Sequence, residues 1–217
     1  MSLSKETQQK KDFHHLQEVI NQGMPVVLFD RISNDIMCDK VIIDDQLAAY
    51  EATNFLISKG LKKIALLTTV DYVSVGKLRT DGYLNVLHDH EIEVDESLII
   101  RIEDTENCDE KINELLENNS VDAILAVNEL FAVTAIKLAM SKGIKIPEDL
   151  SVVAFTDGII SKYSTPTITT ISQNGIKMGR KAAEMLINRL ELEDEEDENY
   201  KTEIIETNLI IRESTKS

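Results

Sequence analysis

Short apolar runs rich in β-branched residues alternate with helically patterned stretches along most of this chain. The runs are Val26–Phe29, Val41–Ile43, Ile64–Leu67, Leu98–Ile100, Ala123–Val127 and Val152–Phe155. Each is continuously apolar instead of alternating, the pattern of strands covered on both faces. Between them Ile112, Leu115 and Leu116, and later Leu130, Val133, Ile136 and Met140, recur at the spacing of one helix face. Gly60 after Lys59 and Gly143 after Lys142 mark helix ends, because glycine readily enters the left-handed conformation that closes a helix. Strand–helix–strand repetition of this kind predicts βαβ units and a parallel, doubly wound sheet.

The rhythm changes at both ends. Ile168–Ile171 predicts a short strand, and Ile176, Gly179, Ala183, Leu186 and Leu190 predict a helix with its apolar stripe on those positions. Glu191–Glu198 then places seven carboxylates in eight positions. It lacks the spaced oxygens and turn glycine of a calcium loop, so a solvated loop is expected. Thr202–Ile211 predicts one or two strands returning to a sheet. At the start, a helix over Phe13–Asn21 leads into the run Val26–Phe29, and the pattern then jumps onward. One or two strands make a poor parallel sheet, so the first lobe is expected to be incomplete in this chain. Met1-Ser2-Leu3 reads as an appended leader.

Composition narrows the function. With 42% apolar residues in 217, one large domain or two small lobes can bury a core. The 39 acidic residues outweigh 23 basic ones, for a net charge of −16. That balance excludes a duplex-binding surface, which needs clustered Lys and Arg, and an acidic membrane surface would repel it. Cys38 and Cys108 lack any metal or redox spacing and read as ordinary reduced thiols. No apolar run approaches a membrane span, and the polar stretch Lys5–Lys11 has no signal-peptide core, so a cytoplasmic address is expected.

In open parallel sheets ligands bind beyond the carboxyl ends of the strands. Those ends here carry Asp30-Arg31, Thr68-Thr69, Asn128-Glu129 and Thr156-Asp157-Gly158. Paired donors and acceptors of this kind suit a hydroxyl- or amide-bearing ligand, although turns favour the same residue types. Arg79, early in the helix after Thr68-Thr69, has the planar fork for a carboxylate, a phosphate or vicinal hydroxyls; equally it reads as an exposed helix arginine paired with Asp81 or a neighbour. Catalysis finds little support. The four histidines fall in an N-terminal helix (His14, His15) and at a helix end (His88, His90), and no nucleophile elbow, phosphate loop or dinucleotide fingerprint is present. Asp157 as a nucleophile lacks acidic neighbours for magnesium, and no cofactor or metal is expected.

At this point the chain resembles the effector-binding core of the LacI/GalR family of bacterial transcription repressors. The resemblance runs from about Gly23 to Arg212 and rests on Met24–Arg31, Val41–Asp45 with Ala48, Ala49 and Ala52, Leu56–Ala65, Arg79–Tyr83, Gly143–Phe155, and Pro166–Gln173 with Met178, Gly179, Ala182 and Ala183. It implies a periplasmic-binding-protein-like α/β fold of two doubly wound parallel-sheet lobes. Residues 1–43 and 174–196 would form the partial first lobe, and 44–173 with 197–213 the second. It also implies a small-molecule effector, a sugar or sugar derivative, and a homodimer. Operator DNA would be read only through an N-terminal helix-turn-helix outside this chain. The implied ligand contacts are Asp30, Arg79 and Asn128, with Thr69, Tyr72, Thr156, Asp157 and Gln173 as further candidates. The family usually has an acidic residue where this chain has Thr156, which places simple transfer of sugar specificity in doubt. A free-standing solute-binding protein and an α/β enzyme acting on a small polar substrate are the competing readings.

Overall fold

The computed structural model describes residues 1–103, 105–191 and 199–216. Two sheets divide the chain. The larger has six strands, in the order β4 (Ile99–Ile102), β3 (Ile64–Thr69), β5 (Ala123–Ala126), β6 (Ser151–Phe155), β7 (Thr169–Ser172) and β9 (Asn208–Ile210). All neighbours are parallel except β7 and β9. The smaller sheet orders β1 (Val27–Phe29), β2 (Asp39–Ile42) and β8 (Thr202–Ile204), all parallel.

Helices cover both faces, as the continuously apolar strands require. α3 (Asp45–Ser58) packs on α4 (Ser74–Asp89), and α5 (Cys108–Asn118) on α6 (Glu129–Ser141). The path from β3 to β4 runs one way across the sheet, and from β4 through β5 to β6 it runs back. Right-handed crossovers therefore set α4 on the face opposite α5 and α6. Both predicted helix-closing glycines have positive φ, +80° at Gly60 and +79° at Gly143. In each case the amide after the glycine reaches back five residues, Leu61 to Leu56 and Ile144 to Ala139.

Three segments differ from, or add to, what the pattern predicts. First, Met1-Ser2-Leu3 runs beside β1 and is hydrogen-bonded to it. The Met1 amino group donates to the Val27 carbonyl at 2.6 Å, Phe29 N–H to Met1 at 2.8 Å and Leu3 N–H to Arg31 at 2.9 Å. Leu3 is 1% exposed, packed with Leu16 of α2 (His14–Asn21), Leu28, Ile36 and Cys38. Second, the terminal segment serves both sheets: β8 pairs with β2 in the smaller one and only β9 returns to the larger. Third, α8 (Gly175–Glu191) is a helix as predicted, but it buries Met178, Ala182 and Met185 against β1 and β2. Ile176, Gly179, Ala183 and Leu190 of the predicted stripe face outward. The apolar positions on this helix encircle it, so periodicity alone picks the wrong face. The same offset occurs in α6, where Phe131, Ala135 and Ala139 are buried while Leu130 and Met140 are exposed.

Of the acidic run, Glu191 closes α8 and residues 192–198 lie outside the described residues. Both cysteines are free and buried. No helix among the described residues is long and apolar enough to cross a membrane.

Candidate functional site

The strand order of the larger sheet reverses between β3 and β5, so the switch point opens beyond the carboxyl ends of those two strands. A cavity of about 400 Å3 lies there, lined by Thr69, Glu103, Asn128, Phe131 and Thr156, with Lys5 closing one side. A larger hollow of about 800 Å3, lined by Lys62, Asp95 and Asn119, lies before the amino-terminal ends of β3, β4 and β5. Its lining mixes charged, amide and apolar side chains, and no carboxyl end of a strand points into it.

Asn128 precedes α6 and caps it, its Oδ1 accepting from Phe131 N–H at 2.9 Å. The cap fixes the carboxamide at the cavity wall and directs its NH2 away from the helix. Thr69 ends β3 and leaves its hydroxyl as a buried oxygen without a hydrogen-bond partner. A Cβ on Gly76 would stand 1.9 Å from that oxygen, so α4 approaches the strand end closely here and a side chain would displace the hydroxyl. Thr68, by contrast, turns into the sheet–helix layer and bonds Thr80 and the Gly76 carbonyl.

A chain of side chains joins the two sheets at the cavity's edge. Thr156 Oγ1 donates to Gln173 Oε1 at 2.7 Å, and Gln173 Nε2 donates to Asp30 Oδ1 at 3.4 Å. Asp30 ends β1 at φ +61° and Thr156 ends β6 at φ +76°. A β-branched residue in that region is strained, and such strain gathers at binding sites. The carboxylate sets the direction of the relay: because it only accepts, the Gln173 amide turns its NH2 to Asp30 and its oxygen to Thr156, whose hydroxyl donates.

Arg79 is neither exposed nor paired with Asp81. Its side chain and that of Asp45 are each 4% exposed, joined through Asp45 Oδ1 at 2.7 and 2.8 Å. Nη1 donates to the Val127 carbonyl at 2.6 Å, and the guanidinium lies 3.9 Å over the Phe155 ring. Burial raises the Asp45 pKa above the ordinary carboxyl value, against the opposing pull of Arg79. The pair thus braces the ends of β5 and β6 from beneath. Tyr72 does not line the cavity and donates to the wall residue Glu103, at Oε1, at 2.9 Å. Asp157 does not line the cavity: it is held by Arg212, by Thr170 at 3.1 Å and by Lys162 at 3.2 Å. Burial raises its pKa, but those three partners together bring it below the usual carboxyl value.

Two further wall residues are Glu129, which the sequence places at a strand end but not among the expected contacts, and Lys5, which it does not single out. Glu129 Oε1 accepts from Gly158 N–H at 2.7 Å and Ser161 N–H at 3.0 Å, tying the loop after Thr156 to α6. Its place directly after Asn128 at a strand end was the available signal. Lys5 had none, since it follows a segment that reads as a leader. Among the described residues no group of three or more metal-ligating side chains stands together.

Comparison with known proteins agrees with this geometry. The model of the periplasmic binding protein-like domain family matches residues 53–215. The regulator DegA of Bacillus subtilis is 32% identical over 165 residues, covering 76% of this chain and 49% of the relative. The ribose operon repressor of Haemophilus influenzae is 31% identical over 197 residues, covering 90% and 58%. The chain thus spans about half the length of these curated relatives. Among solved structures, the CelR–cellobiose complex superposes with a TM-score of 0.82 at 28% identity, over 90% of this chain and 60% of that one. CcpA of Lactococcus lactis gives 0.81 at 28%, over 99% and 75%. These relatives are transcriptional regulators and not enzymes. The chain belongs to the periplasmic binding protein-like domain family, as an effector-binding core of the LacI type.

Proposed function

We propose that this chain senses a small, polar, uncharged molecule of the sugar class in the cavity beyond β3 and β5, and transmits its occupancy as a change in the angle between two lobes. The observation that carries the reading is a cavity at the switch point whose wall holds the Asn128 carboxamide, Thr156 and Thr69 together. Polar groups converging on a pocket at a strand-end switch point are what a hydroxyl-bearing ligand requires. The buried cation beneath the site is already neutralised, Arg79 by Asp45, which favours hydroxyls over a phosphate or carboxylate. Relatives named for ribose and cellobiose support the same class.

The lobes of this reading centre on the smaller and larger sheets. The Thr156–Gln173–Asp30 relay spans them, so a ligand competing for Thr156 or Asp30 changes the relative stability of two lobe arrangements. In this proposal operator DNA is bound by a helix-turn-helix outside the chain, and a dimer sets the spacing of two such modules. The acidic charge of −16 supports leaving DNA contact to another segment.

The test is a thermal-shift screen of the whole chain against neutral sugars, sugar phosphates, nucleosides and amino acids, with Asn128→Asp alongside. Aspartate keeps the helix cap but replaces the amide donor. The proposal expects a neutral sugar to stabilise the chain by about 2.7 kcal/mol at 100-fold saturation, with the effect lost in the variant. Stabilisation by a phosphate or carboxylate ligand that Asn128→Asp leaves intact would refute the class and the site.

A further inference from the structure

α1 (Lys5–Lys10) crosses from the smaller-sheet half of the molecule to the larger. Behind it Leu3 is anchored in the core beside Leu16 and Leu28. Ahead of it Lys11 ends the helix in the left-handed region, at φ 51°. Two side chains make the crossing. Gln8 is 5% exposed, and its Oε1 accepts from both Ser74 N–H at 3.0 Å and Ser74 Oγ at 2.8 Å. Lys5 Nζ donates to the Glu103 carbonyl at the end of β4 and forms one side of the cavity.

Ser74 opens the 16-residue helix α4, whose N-cap position is Val73, with no side-chain cap of its own. The first N–H groups of a helix have no partner within it and take one from elsewhere. Here the partner arrives from the opposite half of the molecule, 66 positions earlier in the chain. A helix of six residues does not hold its shape alone in water, since nucleation outweighs one turn of hydrogen bonds. α1 is therefore helical because it is docked, and undocking it is a local unfolding event.

We propose that α1 is a strap across the mouth of the cavity and Gln8 its latch, so that solutes reach Thr69 and Asn128 only after Gln8 leaves Ser74. The closure is built from the chain's own residues and needs no ligand. Gln8 thereby becomes a gating residue for the proposed effector site. The inference rests on that site only for its biological meaning, because the gate can be measured without any effector.

Two measurements on the whole chain test it. The first is amide exchange at Ser74 by NMR in the wild type, Gln8→Ala and Gln8→Glu. Two ordinary hydrogen bonds correspond to roughly 10- to 100-fold protection, so Gln8→Ala speeds Ser74 exchange by that factor while β5 amides stay unchanged. Gln8→Glu restores protection, since a carboxylate accepts the same donors and suits a helix N-terminus. The second introduces Val73→Cys, at a 5% exposed residue of the cavity wall beside Ser74, and follows its reaction with Ellman's reagent; native Cys38 and Cys108 are buried. The strap predicts slow labelling that Gln8→Ala accelerates at least about tenfold. Should Gln8→Ala not fold, Ser74→Ala removes one of the two latch bonds with the backbone intact and is expected to accelerate labelling to a lesser degree. An unprotected Ser74 amide in the wild type, or equal labelling rates with and without the latch, overturns the strap; either result leaves the effector screen standing on its own.

Discussion

Replacing Arg79 by methionine removes the one cation that holds Asp45 beneath the cavity. The guanidinium makes two contacts to Asp45 Oδ1 at 2.7 and 2.8 Å, one to the Val127 carbonyl at 2.6 Å, and lies over the Phe155 ring. Methionine fills much of the space but leaves a carboxylate that is 4% exposed without its partner. Breaking a buried pair from one side destabilises by about 3–5 kcal/mol. At roughly 2–4 °C per kcal/mol for a chain of this size, the melting temperature falls by about 6–20 °C. Protonation should relieve part of the loss. Asp45 already has a raised pKa in the folded chain because it is buried, and without Arg79 it rises further. A group with a raised folded pKa favours folding below its ordinary value and loses that contribution as pH climbs through the folded one. The deficit of Arg79→Met is therefore largest at neutral pH and shrinks on acidification toward the carboxyl range. The double variant Arg79→Met/Asp45→Leu removes both charges and recovers most of the stability. Urea unfolding followed by circular dichroism at pH 7 and pH 5 measures the cycle of wild type, Arg79→Met, Asp45→Leu and the double variant. A single-variant loss under about 1 kcal/mol, or a double variant worse than the single, would refute a buried brace. The same argument disqualifies Arg79→Ala as a probe of ligand contact, since lost binding would follow from lost structure.

Further outcomes follow from packing and charge. Gly82→Ala is expected to destabilise by about 1–3 kcal/mol, because its Cβ would lie 2.1 Å from the Gln46 carbonyl between α4 and α3; a melting temperature equal to the wild type contradicts that contact. Gly179→Ala on α8 meets nothing within 4 Å and should stabilise by roughly 0.5–1 kcal/mol in the same assay. Asp157 has a lowered pKa, so its contribution is present above the ordinary carboxyl value and disappears as pH falls through the folded one. The stability gap between wild type and Asp157→Asn should accordingly narrow in thermal melts taken from pH 6 down to pH 3, and a gap independent of pH argues against the Arg212 and Lys162 contacts.

Much of this architecture is legible in the sequence, and the illegible parts share a physical cause. The runs at Ile64, Ala123 and Val152 announce buried parallel strands because both faces of each are covered, leaving no polar positions to blur the pattern. Strand ends such as Asn128 and Thr156 could be located for the same reason, since they follow directly on those runs. Helix faces were less readable. In α6 and α8 small residues such as Ala135, Ala139 and Ala182 face the sheet, while larger apolar ones such as Leu130 and Leu190 remain outside. Both helices carry apolar residues around their circumference, so hydrophobicity alone does not pick the buried face, on which Phe131, Ile136, Met178 and Met185 join the alanines. The contribution of Met1–Leu3 to a sheet depends on its partner Val27–Arg31, and three residues carry no periodicity of their own. Likewise, nothing local tells that Gln8 meets Ser74 or that Arg79 meets Asp45, because both contacts join segments brought together only by the fold.

The central claim is the location of the effector, and hydrogen–deuterium exchange of the chain with and without the sugar that gives the largest thermal shift addresses it most directly. The account predicts that protection increases at the amides of Thr69–Val73, Asn128–Phe131 and Thr156–Gly158, around the cavity at the carboxyl ends of β3, β5 and β6. Protection confined to Lys62–Lys63, Glu93–Leu98 and Asn118–Ser120, the rim of the hollow at the opposite end of the sheet, would contradict it.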